Sequence, residues 1–264
     1  MHGNARTVAL TRAVSPTLAA CELTHLAREP IDPARAAADH SAYEDALRAL
    51  GATVVRVTPA PDLPDAVFVE DTAIVLNEIA VITRPGAPSR RAETPAVAEV
   101  LGAYRTLAHI RAPATIDGGD VLRLGRTLYV GQSSRTNAPA IAQLHELLHP
   151  WEYRVVGVRV QGCLHLKSAI TDVGEGVLLA NPRWVDTTQF GSQGVIAVSD
   201  DEPGAANALR LAGAVVFPSH YPRTARRLER AGLRVVPVPC AELAKAEGGV
   251  TCCSLLVETE SATS

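Results

Sequence analysis

Short apolar runs alternate along the chain with longer stretches in which apolar residues recur at helical spacing. The runs are bounded by Gly, Pro, Asn and Asp and predict strands, whereas the stretches predict amphipathic helices. The predicted strands cover residues 7–10, 52–57, 73–76, 79–82, 127–130, 153–158, 169–171, 176–180, 194–198, 214–217, 233–238 and 255–257. The predicted helices cover residues 36–50, 93–101, 138–148, 205–211 and 222–231.

The order of these elements favours a particular architecture. Pairs of short strands alternate with single helices at a spacing of about 50 residues, which lies near the repeat length of propellers. A doubly wound parallel sheet would instead alternate strand and helix strictly. The chain has no low-complexity stretch and no long linker. We therefore expect an α/β propeller-like fold in a single catalytic domain over residues 1–264, with the polar segment 22–33 forming a loop.

Composition and charge argue against some classes of binding partner. Hydrophobic residues make up 47% of the chain, charged residues 20%, and the formal net charge is -3. This balance does not predict binding to nucleic acid or to an anionic membrane. No apolar run has the length of a membrane span, and the segment 1–6 lacks an apolar signal core. We expect a cytoplasmic protein.

One of the five cysteines has a setting that suits a nucleophile. Cys252 follows Gly248 and Gly249, where backbone can approach a ligand closely, and it precedes a strand-like run. No CxxC pair occurs, so neither a zinc ribbon nor a disulfide framework is expected. Among the eight histidines, none has metal-ligand spacing with a suitable partner. His165 is a candidate partner for the thiol, although a lone histidine on an apolar segment is more often structural than catalytic.

Acidic and basic side chains are further candidates for the functional site. Residues 64–71 read as a strand-like segment that places Val67, Val69 and Asp71 on one side. Asp117 and Asp120 flank Gly118-Gly119, and for Asp120 an ordinary turn aspartate is the better interpretation. Arginines lie in two separate loops and are suited to clamping one carboxylate. Taken singly, an acid is as well explained by a solvated edge position, and an arginine is better explained by a surface salt bridge.

Together these groups describe a site for arginine or a derivative of it. Carboxylates suit a guanidinium, arginines suit an α-carboxylate, and a thiol with a histidine suits covalent attack. A guanidinium carbon is a poor electrophile because resonance spreads its charge. A bound cation next to the sulfur would lower the pKa of the thiol and favour the nucleophilic thiolate.

Six ordered segments make the chain resemble the dimethylarginine dimethylaminohydrolase family of the guanidino-group-modifying (pentein) superfamily. The resemblance extends from Thr11 to Cys252. Its most specific segments are residues 64–71, 82–91, 117–121, 134–137, 164–168 and 251–254. It implies a five-bladed α/β propeller of ββαβ units, in agreement with the strand pairs counted above. It also implies hydrolysis of asymmetric dimethylarginine or monomethylarginine to citrulline and an amine, without metal or organic cofactor.

The resemblance also assigns roles to single residues. Cys252 matches the nucleophile and His165 the general acid/base. The matched substrate-binding residues are Leu23, Asp65, Glu70, Asp71, Arg90, Asp117, Arg135 and Ala246. Asp71 and Asp117 would hold the guanidinium, Asp65 the α-amino group, and the two arginines the α-carboxylate. One position departs from the family, since Glu247 replaces the aspartate that usually precedes the glycines.

Two other functions remain open on the sequence. An arginine deiminase would use the same chemistry on a different guanidino substrate, although arginine deiminases are generally longer. A non-catalytic arginine-binding protein would need only the charged clamp, and the thiol with its histidine speaks against it. The expected partner is a small molecule, and the protein is expected to be a monomer or a homodimer.

Overall fold

The computed structural model describes residues 6–259, and their strands form five sheets of three strands each. Residues 1–5, part of the segment used for the cytoplasmic expectation, lie outside the described residues. The strands are β1 Arg6–Thr11, β2 Thr53–Arg56, β3 Ala73–Val75, β4 Ile79–Ile82, β5 Thr106–His109, β6 Val121–Leu124, β7 Thr127–Gln132, β8 Arg154–Arg159, β9 Ile170–Gly174, β10 Val177–Ala180, β11 Gly194–Ala197, β12 Leu209–Leu211, β13 Ala214–Pro218, β14 Arg234–Val238 and β15 Leu255–Thr259.

Helices connect the strands. The α-helices are α1 Pro33–Ala49, α2 Thr94–Leu101, α3 Ala138–Leu148, α4 Leu166–Ala169, α5 Pro222–Arg230 and α6 Ala241–Ala244. Short 3-10 helices span Leu18–Ala20, Val69–Thr72, Pro88–Glu93, Gly118–Asp120, His149–Trp151 and Thr187–Phe190. Helix α1 begins three residues earlier than predicted because the Asp32 carboxylate accepts the N–H groups of Ala34 and Arg35 and Pro33 suits the first helical turn.

Each sheet repeats one pattern of pairing. A central strand pairs antiparallel with one neighbour and parallel with the other, in the orders β15-β1-β2, β3-β4-β5, β6-β7-β8, β11-β10-β9 and β12-β13-β14. We number these sheets 1 to 5 in that order. A parallel pair needs a crossover, and α-helices provide it in four sheets. In sheet 4 the crossover contains only the 3-10 helix Thr187–Phe190.

The apolar core is arranged between the sheets. Among residues 6–259 five buried clusters each join two successive sheets, and one of them joins sheet 5 back to sheet 1. Val216 and Ala9 belong to this closing cluster. The C-terminal strand β15 pairs with the N-terminal strand β1, so both ends of the described chain share sheet 1. The predicted five-bladed α/β propeller is confirmed.

Some predicted elements were wrong. Residues 205–211 are not a helix, because Leu209–Leu211 forms strand β12 and pairs with β13 across a turn at Ala212 and Gly213, both with positive φ. Residues 64–71 are not a strand but turns leading into a 3-10 helix, with Val67 and Asp71 both buried. Strands β5 and β6 were not predicted.

Within residues 6–259 no helix combines the length and the apolar character needed to cross a bilayer.

Candidate active site

Connections that follow strands of several sheets meet around one small cavity. Its volume is about 10 Å³, room for a single water molecule. The residues that line it are Glu22, Asp65, Phe68, Asp71, Arg90, Arg135, Leu164, His165, Ala246, Glu247, Gly248 and Cys252. Seven of these are candidates from the sequence, and Cys252 and His165 lie together in this cavity.

Close packing fixes the position of Cys252 in the turn between α6 and β15. A Cβ atom on Gly248 would overlap the ring of Phe68, and one on Gly249 would overlap the side chain of Asn207. The N–H of Gly249 donates to Cys252 Sγ at 3.3 Å. The two glycines that drew attention in the sequence are therefore needed for close approach to neighbouring side chains, and they bring a backbone donor to the thiol.

His165 lies directly before helix α4, between two carboxylates. Its Nε2 is 3.0 Å from Asp117 Oδ2, and its Nδ1 is 3.7 Å from Asp71 Oδ1. Asp71 Oδ1 also accepts the N–H of Gly119 at 2.9 Å. A Cβ atom on Gly119 would come within 2.7 Å of both His165 Nδ1 and Asp71 Oδ1. The glycine therefore allows the 3-10 helix Gly118–Asp120 to pack against the imidazole.

Burial and charge set the protonation states of this pair. Burial lowers the pKa of the His165 imidazole, but Asp71 and Asp117 outweigh it and raise this pKa to about 9. Burial raises the pKa of the Cys252 thiol well above its usual range, and the carboxylates of Glu70 and Asp71 add to the rise. At neutral pH the unliganded site therefore holds an imidazolium and a neutral thiol.

The two arginines differ in how much of their guanidinium is engaged. Arg90 is buried, binds Glu93 in a bidentate pair at 3.0 and 2.8 Å, and donates from Nη1 to Asp71 Oδ2 at 2.5 Å. Arg135 Nη2 donates to Thr24 Oγ1 at 3.1 Å, and its Nη1 is 3.9 Å from Asp117. Protein acceptors hold Arg90 in a fixed orientation, whereas Arg135 contacts the loop above the cavity.

Asp65 and Ala246 lie at the same cavity. Asp65 Oδ2 accepts the N–H of Glu22 at 3.1 Å, and burial raises the pKa of its carboxyl. Ala246 is buried in the turn before Glu247. Leu23 is half-buried and packs against the cluster between sheets 5 and 1, outside the cavity lining.

Two further predicted residues lie behind the cavity wall. Asp117 contacts His165 and accepts the N–H of Gly86 at 2.8 Å. Glu70 accepts from Lys167 Nζ at 2.5 Å and from Thr251 Oγ1 at 2.7 Å, so it ties the segment before Cys252 to helix α4. Neither carboxylate lines the cavity.

The interpretation of Asp120 as an ordinary turn aspartate was wrong. Its side chain is fully buried and accepts the N–H of Leu166 at 2.9 Å and the hydroxyls of Ser133 and Thr136 at 2.5 and 2.6 Å. Burial raises the pKa of this carboxyl to about 6. Asp120 therefore fixes the start of helix α4, and with it the backbone of His165.

Three groups are close enough to hold a cation. One donor atom from each of Asp71, Asp117 and His165 lies within 4.8 Å of the others. Both carboxylates already accept backbone N–H groups, and the raised pKa of His165 keeps a proton on the imidazole at neutral pH. An imidazole binds a metal ion only in its neutral form. The arrangement therefore suits a protonated imidazolium better than a metal ion. The expectation of a metal-free site stays a prediction.

Sequence reasoning did not single out Glu22, Phe68, Leu164 or Gly248 as lining residues. Glu22 lies in the segment predicted as a loop, and the Gly248-Gly249 pair was the only local signal for close packing around the thiol. The sequence did not mark Phe68 and Leu164 as lining residues, because an apolar side chain in a strand-like run is interpreted as part of the core.

Comparisons with known proteins agree on one family. A family model described as "N,N dimethylarginine dimethylhydrolase, eukaryotic" matches residues 24–193. An N(G),N(G)-dimethylarginine dimethylaminohydrolase of Streptomyces coelicolor is 40% identical over 248 residues, covering 94% of this chain and 95% of the relative. The enzyme of the same name from Pseudomonas aeruginosa is 35% identical over 226 residues, covering 85% and 89%.

A solved structure gives the same result. The Pseudomonas aeruginosa protein, as a cysteine-to-serine mutant in complex with citrulline, superposes with a TM-score of 0.89 at 33% identity and covers 95% of this chain and 98% of its own. The N-terminal domain of ArgZ, an arginine dihydrolase from cyanobacteria, has a TM-score of 0.80 at 22% identity, which shows the shared fold alone.

Proposed function

Since the chain belongs to the dimethylarginine dimethylaminohydrolase family, we propose that it hydrolyses asymmetric dimethylarginine to citrulline and dimethylamine, and monomethylarginine to citrulline and methylamine. The observation that carries the proposal is that Cys252 and His165 line one cavity with Asp71 between the imidazole and Arg90. A thiol, an acid and a buried carboxylate are the groups that substitution at a guanidinium carbon needs.

The reaction begins with ionisation of the thiol. A substrate guanidinium held by Asp71 brings a positive charge to Cys252 and lowers the pKa of the thiol, whose proton passes to water. The thiolate attacks the guanidinium carbon and forms a C–S bond. The His165 imidazolium then protonates the dimethylated nitrogen, and the C–N bond breaks with loss of dimethylamine. A thiouronium on Cys252 and a neutral imidazole remain.

Hydrolysis of the thiouronium completes the cycle. His165, now neutral, takes a proton from water as the oxygen attacks the same carbon. The second proton of that water passes to the sulfur as the C–S bond breaks, citrulline leaves, and the thiol and the imidazolium of the unliganded site are restored. Asp117 contributes by holding the imidazole at Nε2 through both half-reactions, since it lies behind the cavity wall and bonds to that atom.

The remaining cavity residues would bind the amino-acid end of the substrate. Asp65 suits the α-ammonium, and Arg135, whose contact with Thr24 is exchangeable, suits the α-carboxylate. Arg90 has one Nη1 hydrogen left for substrate after its bonds to Glu93 and Asp71. The carbonyls of Leu23 and Ala246 would accept from the ammonium once the loop 21–32 has opened, admitted substrate and closed.

We further propose that residues 1–264 form one catalytic domain that works in the cytoplasm, on a small-molecule substrate and without a cofactor. Glu70 is assigned a supporting role, because it links Lys167 to Thr251 near the nucleophile. The proposed assembly is a monomer or a homodimer, which light scattering on the purified protein distinguishes.

The test is a product assay with single-residue variants. We expect citrulline and dimethylamine from asymmetric dimethylarginine, and little ammonia from arginine. Cys252→Ser should lower kcat by at least about 10³-fold because the nucleophile is lost. His165→Gly should lower kcat by a comparable factor, because no acid then protonates the dimethylated nitrogen as the C–N bond breaks.

Cys253→Ser is the matched control, since Cys253 is also buried but lies outside the cavity lining. It should keep activity of the wild-type order, with folding checked by thermal unfolding for each variant. Faster release of ammonia from arginine would support the deiminase alternative. Binding of arginine derivatives by calorimetry without any citrulline would support a non-catalytic binding protein. Full activity in Cys252→Ser would refute the mechanism.

A further inference from the structure

A loop without regular structure covers the cavity. Residues 21–32, the lid, lie between the 3-10 helix Leu18–Ala20 and helix α1, and most of their side chains are exposed. Glu22 lines the cavity from this loop. A cavity of about 10 Å³ is too small for an amino acid, so binding of a substrate at Asp65 and Arg135 requires the lid to move. Cys252 also lines a wider neighbouring cavity of about 350 Å³, and His25 and Leu26 of the lid form part of its wall.

One carboxylate binds three consecutive amides of the lid. Glu247 Oε2 accepts the N–H of Thr24 at 3.0 Å, and Oε1 accepts those of His25 and Leu26 at 2.5 and 2.6 Å. Hydrogen bonds from backbone N–H groups to an ionised carboxylate are roughly twice as strong as neutral ones. Successive N–H groups turned toward one anion form a nest for it.

The backbone of Glu247 is set up for this contact. Its φ is 57°, in the left-handed region, and its N–H donates to Ala244 O at 3.1 Å. Its neighbours Ala246 and Gly248 both line the cavity. The side chain of Glu247 therefore extends from the cavity wall to the lid. Its backbone belongs to the turn that carries Cys252.

The other lid contacts use groups that the proposed substrate needs. The Glu22 N–H donates to Asp65, and Thr24 Oγ1 accepts from Arg135. A substrate ammonium and carboxylate would compete for Asp65 and Arg135 and displace both contacts. The bonds to Glu247 involve none of the proposed substrate ligands, so they persist when substrate is bound.

We propose that Glu247 is a positioning residue that latches the lid over the substrate, and that it sets how long the closed, water-excluding state lasts. This use of the side chain explains the departure noted in the sequence, since glutamate reaches one methylene farther than the aspartate usual in the family. The proposal rests in part on the proposed function, because the latch acts on the substrate through the lid.

The test compares Glu247→Gln and Glu247→Asp with the wild type by hydrogen exchange over residues 22–28 in the unliganded protein. Glutamine removes the charge and one acceptor oxygen, and aspartate keeps the charge but shortens the reach. We expect both variants to speed exchange of the amides of residues 24–26 by about tenfold, because these amides are protected by the latch. Exchange in the strands should not change.

Glu146→Gln, on the exposed face of helix α3, is the matched control and should leave the lid amides as in the wild type. A second measurement is the rate at which iodoacetamide alkylates Cys252, which should rise in both Glu247 variants as the cavity opens. With asymmetric dimethylarginine as substrate, KM should rise more than kcat falls.

Unchanged exchange of amides 24–26 in a folded Glu247→Gln protein would overturn the latch. Exchange and alkylation require no turnover, so they test it even if the proposed reaction fails. Conversely, faster exchange together with a wild-type KM would show that the latch does not position substrate.

Discussion

At the scale of single residues, burial decides the chemistry of the thiol. Cys252 is 8% exposed, and the nearby carboxylates of Glu70 and Asp71 oppose its ionisation together with the loss of solvent. The N–H of Gly249 gives only partial compensation. In the unliganded protein Cys252 is therefore a thiol rather than a thiolate. The positive charge of the substrate is needed to ionise it.

This protonation state has a measurable consequence in the free protein. The rate of Cys252 alkylation by iodoacetamide should increase about tenfold per pH unit from pH 7 to beyond pH 9, since the pKa of the thiol is raised above its ordinary value of about 8.5. Mass spectrometry of the peptide with Cys252 follows the reaction, and Cys252→Ser provides the blank. A rate that levels off near pH 7 would contradict the expected state.

Residue by residue, the sequence predicted the reactive groups better than their supports. Cys252 stood out because two glycines precede it, and His165 because it lies in a segment matched by the family. Asp120 could not be recognised, because its partners Ser133, Thr136 and Leu166 are brought to it only by folding. Asp117 was matched as a guanidinium ligand, but its placement behind the imidazole could not be predicted, because it depends on packing between connections from different sheets.

At the scale of elements, the site is built from short 3-10 helices rather than from strands or long helices. Asp71 lies in Val69–Thr72, Asp120 in Gly118–Asp120 and Arg90 in Pro88–Glu93. The first two helices touch each other, because a Cβ atom on Gly118 would overlap the carbonyl oxygen of Glu70. Glycine at this position allows two carboxylate-bearing turns to pack backbone against backbone.

The packing predicts a large effect from one methyl group. Gly118→Ala should lower the free energy of unfolding by about 2 kcal/mol, since backbone on both sides has to shift. Gly194→Ala is the control, because its Cβ would lie 3.4 Å from Val177 Cγ2 in strand β10 and fits with little adjustment. Urea unfolding measures both. Equal stability of the two variants would show that the turns are not held in this contact.

Hydrophobic periodicity predicted the longer elements, whose pattern lies within their own residues. Helices α1, α3 and α5 were predicted because their apolar residues recur at helical spacing, while the cap and proline that start α1 at Pro33 were missed. Strand β12 was misread as a helix, since three residues carry no period of their own and its identity comes from pairing with β13. The 3-10 helix Val69–Thr72 was misread as part of a strand because Val67, Val69 and Asp71 alternate with their neighbours, whereas every side chain of the helix is buried.

At the scale of the whole molecule, the ring is closed by the C-terminal strand. Val257 in β15 faces Val8 in β1 in register, and both are buried in the cluster between sheets 1 and 2. Five inter-sheet clusters connect the described sheets in a circle, so loosening one junction leaves two sheets with exposed apolar faces. We therefore expect residues 1–264 to unfold as one cooperative unit, as a single domain requires.

Truncation of Val257 tests this closure. Val257→Ala should lower the free energy of unfolding by about 2 kcal/mol, because it removes two fully buried methyl groups and leaves a cavity at the junction. Val195→Ala, at a side chain that is 42% exposed in strand β11, is the matched control and should cost less than about 0.5 kcal/mol. Urea unfolding of Val257→Ala is followed by far-ultraviolet circular dichroism and by the fluorescence of Trp151 and Trp184. Both tryptophans are distant from sheet 1 in the chain. If the ring unfolds as a unit, the two transitions will shift together. A tryptophan transition that stays at its wild-type midpoint while the circular dichroism shifts would show that the sheets unfold independently and that closure by β15 stabilises sheet 1 alone.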